Sequence, residues 1–267
     1  MFGAPKNDLK PNTLAFESEP LISPNGFREY DARWLYEKEI NLIGVQALGL
    51  ALGEYFLERG VEPKVVVGHD YRSYSLTIKQ ALTLGLMSAG CQVHDIGLAL
   101  SPVAYFAQFA LEAPCVAMVT ASHNENGWTG VKMGAARPLT FGPDEINRLK
   151  EIVFKASAKP RPGGSYTRVK DMRETYLKEV TRGHKLSRRI RVVAACGNGT
   201  AGAFAPEALE RVGADVVPMD TTLDWNFPKY NPNPEDLQML GAMGEAVKES
   251  GDKVATWGWG GGGGGRR

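Results

Sequence analysis

The residues most able to do chemistry lie in the stretch VAMVTASHNENGWTGVKMG, positions 116–134. An apolar run breaks into Thr120-Ala121-Ser122-His123-Asn124, and a Gly-rich return then reaches Val131-Lys132. Ser122 beside His123, with Lys132 on the returning limb, sets a hydroxyl nucleophile near two titratable groups. The plainer alternative is that Ser122 and Asn124 close a turn with their side-chain oxygens. His69-Asp70-Tyr71-Arg72 follows the short β-branched run KVVVG. There Asp70 and Arg72 could hold one another as a salt-bridged turn, or Arg72 could grip an oxyanion. Arg28-Glu29-Tyr30-Asp31-Ala32-Arg33 reads either as a solvated face or as two arginines near an anionic site. Gly197 to Gly202 (GNGTAG) lacks the GK[ST] of a P-loop and reads as a tight left-handed turn entering a helix. His94 falls in a strand and reads as structural, while His184 reads as exposed.

Such residues need a frame, and the alternation of patterns supplies one. Apolar spacing predicts helices over 37–60, 75–90 (with Ser75 as N-cap) and 102–111. Strands are expected at 64–68, 92–96 and 115–120. After position 133 the pattern gives a helix over 143–154, then KASAKPRPGGSYTRVK, dense in Pro, Gly and Lys, which reads as a boundary. A second unit follows, with helices at 171–181, 206–213 and 235–250 and strands at 190–195, 215–218 and 253–257. Strand–helix alternation with short connections predicts an α/β protein of two consecutive three-layer α/β domains, with mainly parallel mixed sheets and the second one truncated. Parallel sheets gather ligands at the carboxyl ends of their strands, where the 120–124 loop falls. The division reads as an extended lead-in at 1–25, a first domain at 26–158, a linker at 159–170 and a second domain at 171–267.

Composition narrows the partners. The 267 residues carry 31 Lys and Arg against 30 Asp and Glu, so the overall charge gives no basic excess for nucleic acid. The longest charge-free stretch, 96–111, is too short to span a membrane. The N-terminus has no apolar signal core, and the three cysteines form no CxxC pair. Together these point to a cytoplasmic protein without a zinc site.

Taken in order, FREYDAR (27–33), GHDYR (68–72), SP (101–102), TASHN (120–124), NGWTGVK (126–132), CGNGTAG (196–202) and NPNP (231–234) resemble the α-D-phosphohexomutases, most closely the bacterial phosphomannomutase/phosphoglucomutase branch. The resemblance covers the first domain of that four-domain family and most of the second. It implies that Ser122 is a phosphoserine exchanging phosphate with mannose or glucose 1- and 6-phosphates through a bisphosphorylated sugar. It also implies that His123, Asn124 and Lys132 lie on the serine loop, with Lys132 as general acid/base. Arg28, Tyr30 and Arg33 match the N-terminal active-site strand, where positive charge faces the phosphoserine. Glu125 replaces a common proline, and His69 a common Arg or Lys.

The largest departure is at the end of the chain. The family's DGDGDR, whose aspartates hold Mg²⁺ against the phosphoserine, is replaced by Gly260 to Gly265 followed by Arg266 and Arg267. With Gly260, Gly262 and Gly264 in the aspartate places, only phosphorylated Ser122 remains as a family metal ligand, and the Mg²⁺ site is expected to be lost. A phosphohexomutase piece with little activity of its own is therefore expected. The competing readings are a non-catalytic phosphate-sensing or partner-binding module and, less well supported without a GxSxG elbow, a Ser122–His123 hydrolase.

Overall fold

The computed structural model describes residues 2–231, 233, 235–250 and 254–257. Pro232, Pro234, Lys253 and the glycine run 260–265 lie outside them, and with them part of NPNP and the start of the last expected strand.

The first unit is built on a six-stranded sheet. In chain order its strands are β1 (Ala32–Leu35), β2 (Lys64–His69), β3 (Gln92–Leu98), β4 (Cys115–Val119), β5 (Trp128–Gly134) and β6 (Ser165–Arg168). Across the sheet they run β1-β5-β4-β2-β3-β6. The β4-β2-β3-β6 part is parallel, and β5 pairs antiparallel with both β4 and β1. The helices α2 (Leu42–Glu58), α3 (Ser75–Ser88) and α5 (Pro143–Phe154) pack one face of this sheet, where Trp34, Phe56, Leu82 and Phe141 are fully buried. The opposite face holds α4 (Ser101–Ala110) and α6 (Met172–Thr181). Helices on both faces give the three-layer α/β arrangement that the alternation predicts. A smaller parallel sheet follows, ordered β8-β7-β9 from β7 (Arg191–Ala195), β8 (Asp215–Met219) and β9 (Val254–Trp257). It carries α7 (Ala205–Arg211) and α8 (Leu237–Ser250). Phe204 of this second unit is buried in one cluster with Val103, Met172 and Leu177, so the core on this face of the first sheet extends into the second unit.

Helix α2 starts at Leu42 rather than at 37 because Asn41 stops the turn. Its Oδ1 accepts from Gly44 N (2.7 Å) and Leu21 N (2.9 Å), and its Nδ2 donates to the carbonyls of Phe16 (2.7 Å) and Glu19 (2.9 Å). An N-cap that also ties four backbone groups together is a strong anchor. It corrects the extended lead-in at 1–25: those residues hold a short helix, α1 (Leu14–Ser18), and bury Phe16, Leu21 and Ile22.

The 159–170 stretch, read as a linker, contributes strand β6. Buried Asp95 accepts there from Tyr166 (2.8 Å) and Arg168 (2.9 Å), besides its ion pair with Lys79. Ser75 opens α3 without capping it, because its hydroxyl is spent on Asp70, 2.6 Å away. His94 lies in β3 and His184 is exposed, as read from sequence.

Helices α2 and α3 cross with their backbones in contact. A Cβ at Gly85 would fall 2.1 Å from Gln46 O and 2.7 Å from Leu50 N. Gly85→Ala is therefore expected to destabilise by about 1–3 kcal/mol through overpacking, read as a lower urea midpoint.

Candidate active site

The carboxyl ends of β2 and β4 lie side by side, and the site grows from them. Asp70 N donates to Val119 O (3.0 Å) and Thr120 N donates to Gly130 O (3.0 Å), which fixes where β4 stops. The chain then turns sharply. Ser122 sits in the left-handed region at φ 55°, a conformation a non-glycine residue holds only when its surroundings enforce it. The enforcement is visible: Ser122 N donates to Thr120 Oγ1 (2.9 Å), and Asn124 N donates to Ala121 O (3.0 Å). Thr120 Oγ1 in turn donates to Asp70 Oδ2 at 2.8 Å.

Arg72 completes the cradle. Its buried guanidinium pairs with buried Asp70 and donates to the carbonyls of Ser122 (3.2 Å) and of half-buried Asn124 (2.8 Å). Of the two readings of HDYR, the structure gives the mutual pair, buried rather than superficial. Removing one partner of a buried pair leaves the other charge uncompensated. Asp70→Ala is thus expected to cost about 3–5 kcal/mol, measured by urea unfolding, with the 120–124 loop loosened first.

Ser122 is only 6 % exposed, and its Oγ lies 3.3 Å from His123 Nδ1. From β1, Arg33 reaches Asn124 Oδ1 (2.6 Å) while its Nε and Nη2 hold Asp31 Oδ2 at 3.0 and 2.8 Å. Arg33 lies opposite Gly130, two residues before Lys132 on the same face of β5. Gly130 is needed for this approach, since a Cβ there would fall 2.3 Å from Ala32 O and 3.0 Å from Arg33 Cγ. Tyr74 pins the return limb, donating to Trp128 O (2.9 Å) and accepting from Gly127 N (2.8 Å).

The electrostatics have one sign. Burial holds Lys132 below its ordinary lysine range and Arg33 lowers it further, against the opposing pull of Asp31. His123 is likewise held down by loss of solvent, then by Arg33, Lys132 and Arg72, with Glu235 opposing. Two of the nearby carboxylates each serve an arginine: Asp31 serves Arg33 and Asp70 serves Arg72. The hydroxyl of Ser122 therefore sits in a cationic setting suited to a group of charge near −2.

Not every expected residue joins it. Arg28 is exposed, with its guanidinium 5.3 Å from the centre of the Trp128 ring. Tyr30 is 61 % exposed and donates to Glu29 (2.8 Å). Sequence reasoning left Tyr74 out of the site and gave Thr120 and Asp31 no separate role there. Gly197, Gly199 and Gly202 have GxGxxG spacing, so a reading of this stretch as lacking that pattern is incorrect. In the fold they carry a left-handed turn at Gly197 and Asn198 and a 3₁₀ turn whose Thr200 Oγ1 accepts from Tyr71 N (2.9 Å).

A magnesium ion does not fit these side chains. Among the described residues no group of three or more His, Cys, Asp or Glu could hold a metal. Both oxygens of Asp70 are engaged by Arg72, Ser75 and Thr120.

Residues 24–160 match the family model for phosphoglucomutase/phosphomannomutase α/β/α domain I, and residues 174–258 match domain II. The chain belongs to the phosphoglucomutase/phosphomannomutase family. A family member from Pseudomonas syringae pv. tomato, a phosphomannomutase/phosphoglucomutase, is 34% identical over 87% of this chain and 49% of its own length. A probable phosphoglucosamine mutase from Methanosphaera stadtmanae is 27% identical over 84% of this chain and 50% of its own length. The crystal structure of a family member from Burkholderia thailandensis superposes with a TM-score of 0.82 at 29% identity, covering 88% of this chain and 52% of that one. The chain thus spans about half the length of the curated family members it matches.

Proposed function

We propose that this chain is the phosphoryl-carrying half of a phosphohexomutase, with Ser122 as carrier and hexose 1- and 6-phosphates, of mannose or glucose, as substrates. The observation that carries the reading is the buried Ser122 hydroxyl, held left-handed among Arg33, Arg72, His123 and Lys132. Phosphoryl transfer depends on placing the group and neutralising its equatorial oxygens, and those cations serve both ends. A sugar hydroxyl attacks the phosphorus of phospho-Ser122, the Ser122 oxygen departs, and the resulting bisphosphate returns its other phosphate to Ser122. Lys132, held below its usual range, is suited to exchanging the proton these steps move. In this reading Arg33 and Asn124 flank the incoming phosphate, and the exposed Arg28 and Tyr30 are further phosphate-binding residues. A cytoplasmic location belongs to the same proposal. It is supported by three buried free thiols and by the absence, among the described residues, of a helix long and apolar enough to cross a membrane.

The 267-residue polypeptide itself is expected to show no mutase turnover at any Mg²⁺ concentration. Gly260, Gly262 and Gly264 offer no carboxylate, and the described residues offer no alternative metal set. A coupled assay converting mannose or glucose 1-phosphate to the 6-phosphate checks this; turnover free of host mutase contradicts it. The same lack of carboxylates favours a second reading for the polypeptide alone, as a phosphate-sensing or partner-binding module.

A further inference from the structure

We propose that the 224–227 loop of the second unit is a latch that holds the Ser122 loop in its left-handed form, acting through Arg72 and Asn126. The proposal rests on the reading of Ser122 as phosphoryl carrier and names what sets that residue's geometry. Phe227, Trp225 and Asn126 would be positioning residues, none of them touching the reacting atoms.

Three consecutive residues face three different neighbours. Asp70 holds Thr120 and Ser75 of its own unit. Tyr71 turns to the second unit, donating from its backbone N to Thr200 Oγ1 (2.9 Å) and packing its ring 5.6 Å from that of Trp225. Arg72 holds the carbonyls of Ser122 and Asn124, and Phe227 covers its guanidinium at 5.9 Å. At the far end of the serine loop, Asn126 Nδ2 donates to Trp225 O at 2.6 Å.

The latch is itself well anchored. Asp224 N donates to Asn198 O (3.0 Å), Asn226 N to Asp224 Oδ1 (3.0 Å) and Phe227 N to Asp224 O (3.1 Å). Phe227 is buried to 9 % exposure with φ at 49°, a backbone position a bulky residue takes only under constraint. What that constraint secures is a ring over Arg72. Water is thereby kept from the guanidinium, and its bonds to the two loop carbonyls act in a medium of low polarisability. Arg72 Nε is buried without an acceptor among the described residues, so the Nη donors to Asp70, Ser122 and Asn124 carry the whole grip. Opening the latch wets Arg72, frees Ser122 O and Asn124 O, and lets Ser122 leave its strained conformation.

Hydrogen exchange by mass spectrometry on the 267-residue chain tests this, with phosphopeptide mapping of Ser122 alongside in a chimaera that joins residues 1–257 to the remaining half of the Pseudomonas syringae relative. Phe227→Ala and Asn126→Ala are each expected to speed exchange in 120–127 by on the order of 10-fold, with β2 (64–69) unchanged. Phe227→Tyr, which keeps the ring, is expected to restore wild-type protection. Unchanged exchange in 120–127 while 224–227 loosens overturns the latch, as does an equal rise in 64–69 in both alanine variants. The two claims fail separately. Exchange coupling without phosphate on Ser122 keeps the latch and removes the carrier, whereas phosphate without coupling does the reverse.

Discussion

Ser122→Ala is expected to remove phosphoryl transfer altogether, a fall of roughly 10⁶-fold to background in a complete mutase. The suitable host is a chimaera in which residues 1–257 replace the matching half of the Pseudomonas syringae relative. Loss of the carrier leaves no free hydroxyl at the end of β4, because the Thr120 hydroxyl is committed to Asp70 and to Ser122 N. Strain complicates the reading of this variant, since alanine at φ 55° keeps the left-handed cost. Ser122→Gly relieves that cost while removing the same hydroxyl. The two variants should therefore be equally inactive, with the glycine variant the more stable by urea unfolding. Near wild-type turnover of either, with catalytic bisphosphate supplied, contradicts the carrier role.

The second large effect concerns Lys132. Lys132→Met is expected to lower kcat by roughly 10²–10⁴-fold with little change in KM, because a proton-transfer role is confined to the transition state. Lys132→Arg separates the two uses of a cation at this place. A guanidinium keeps the charge but does not give up its proton, so it should not rescue turnover. Recovery by arginine, or a loss confined to KM, reassigns Lys132 to phosphate binding. The charge environment adds a pH signature. Arg33 lowers Lys132 while Asp31 raises it, and Arg33→Gln both deletes the cation and frees Asp31. Each change moves the lysine upward, so the limb of the pH–rate profile that needs its neutral amine should shift to higher pH.

The helices, the parallel strands and the serine loop were legible because each is written locally. TASHN ends an apolar run, and Ile40, Ile43, Ala47, Leu50 and Leu57 recur at helical spacing whatever else surrounds them. Other elements exist only through distant partners. The residues of β1 read from sequence either as a solvated face or as arginines near an anionic site, and in the structure Ala32 and Trp34 are buried while Arg33 alternates to the site. β6 reads as a Pro-Gly linker and becomes a strand because Asp95, some 70 residues earlier by the spacing of its bonds, holds Tyr166 and Arg168. Helix α2 starts late because Asn41 answers to four backbone groups between 16 and 44. The same limit applies to the site. Ser122, His123 and Lys132 share one hairpin and could be seen together, whereas Phe227 meets Arg72 only across some 155 residues of sequence, once the second unit has packed on the first. Tyr30 illustrates the converse: its place in a motif did not bring its side chain inward, because Glu29 beside it takes the hydroxyl.

The most direct measurement is phosphopeptide mapping, with intact mass, of the purified chimaera carrying residues 1–257, before and after incubation with a hexose 1,6-bisphosphate. The account predicts a single phosphate on Ser122, absent from Ser122→Ala. An unphosphorylated Ser122 that instead reacts with a fluorophosphonate, or phosphate carried only on another residue, would contradict it.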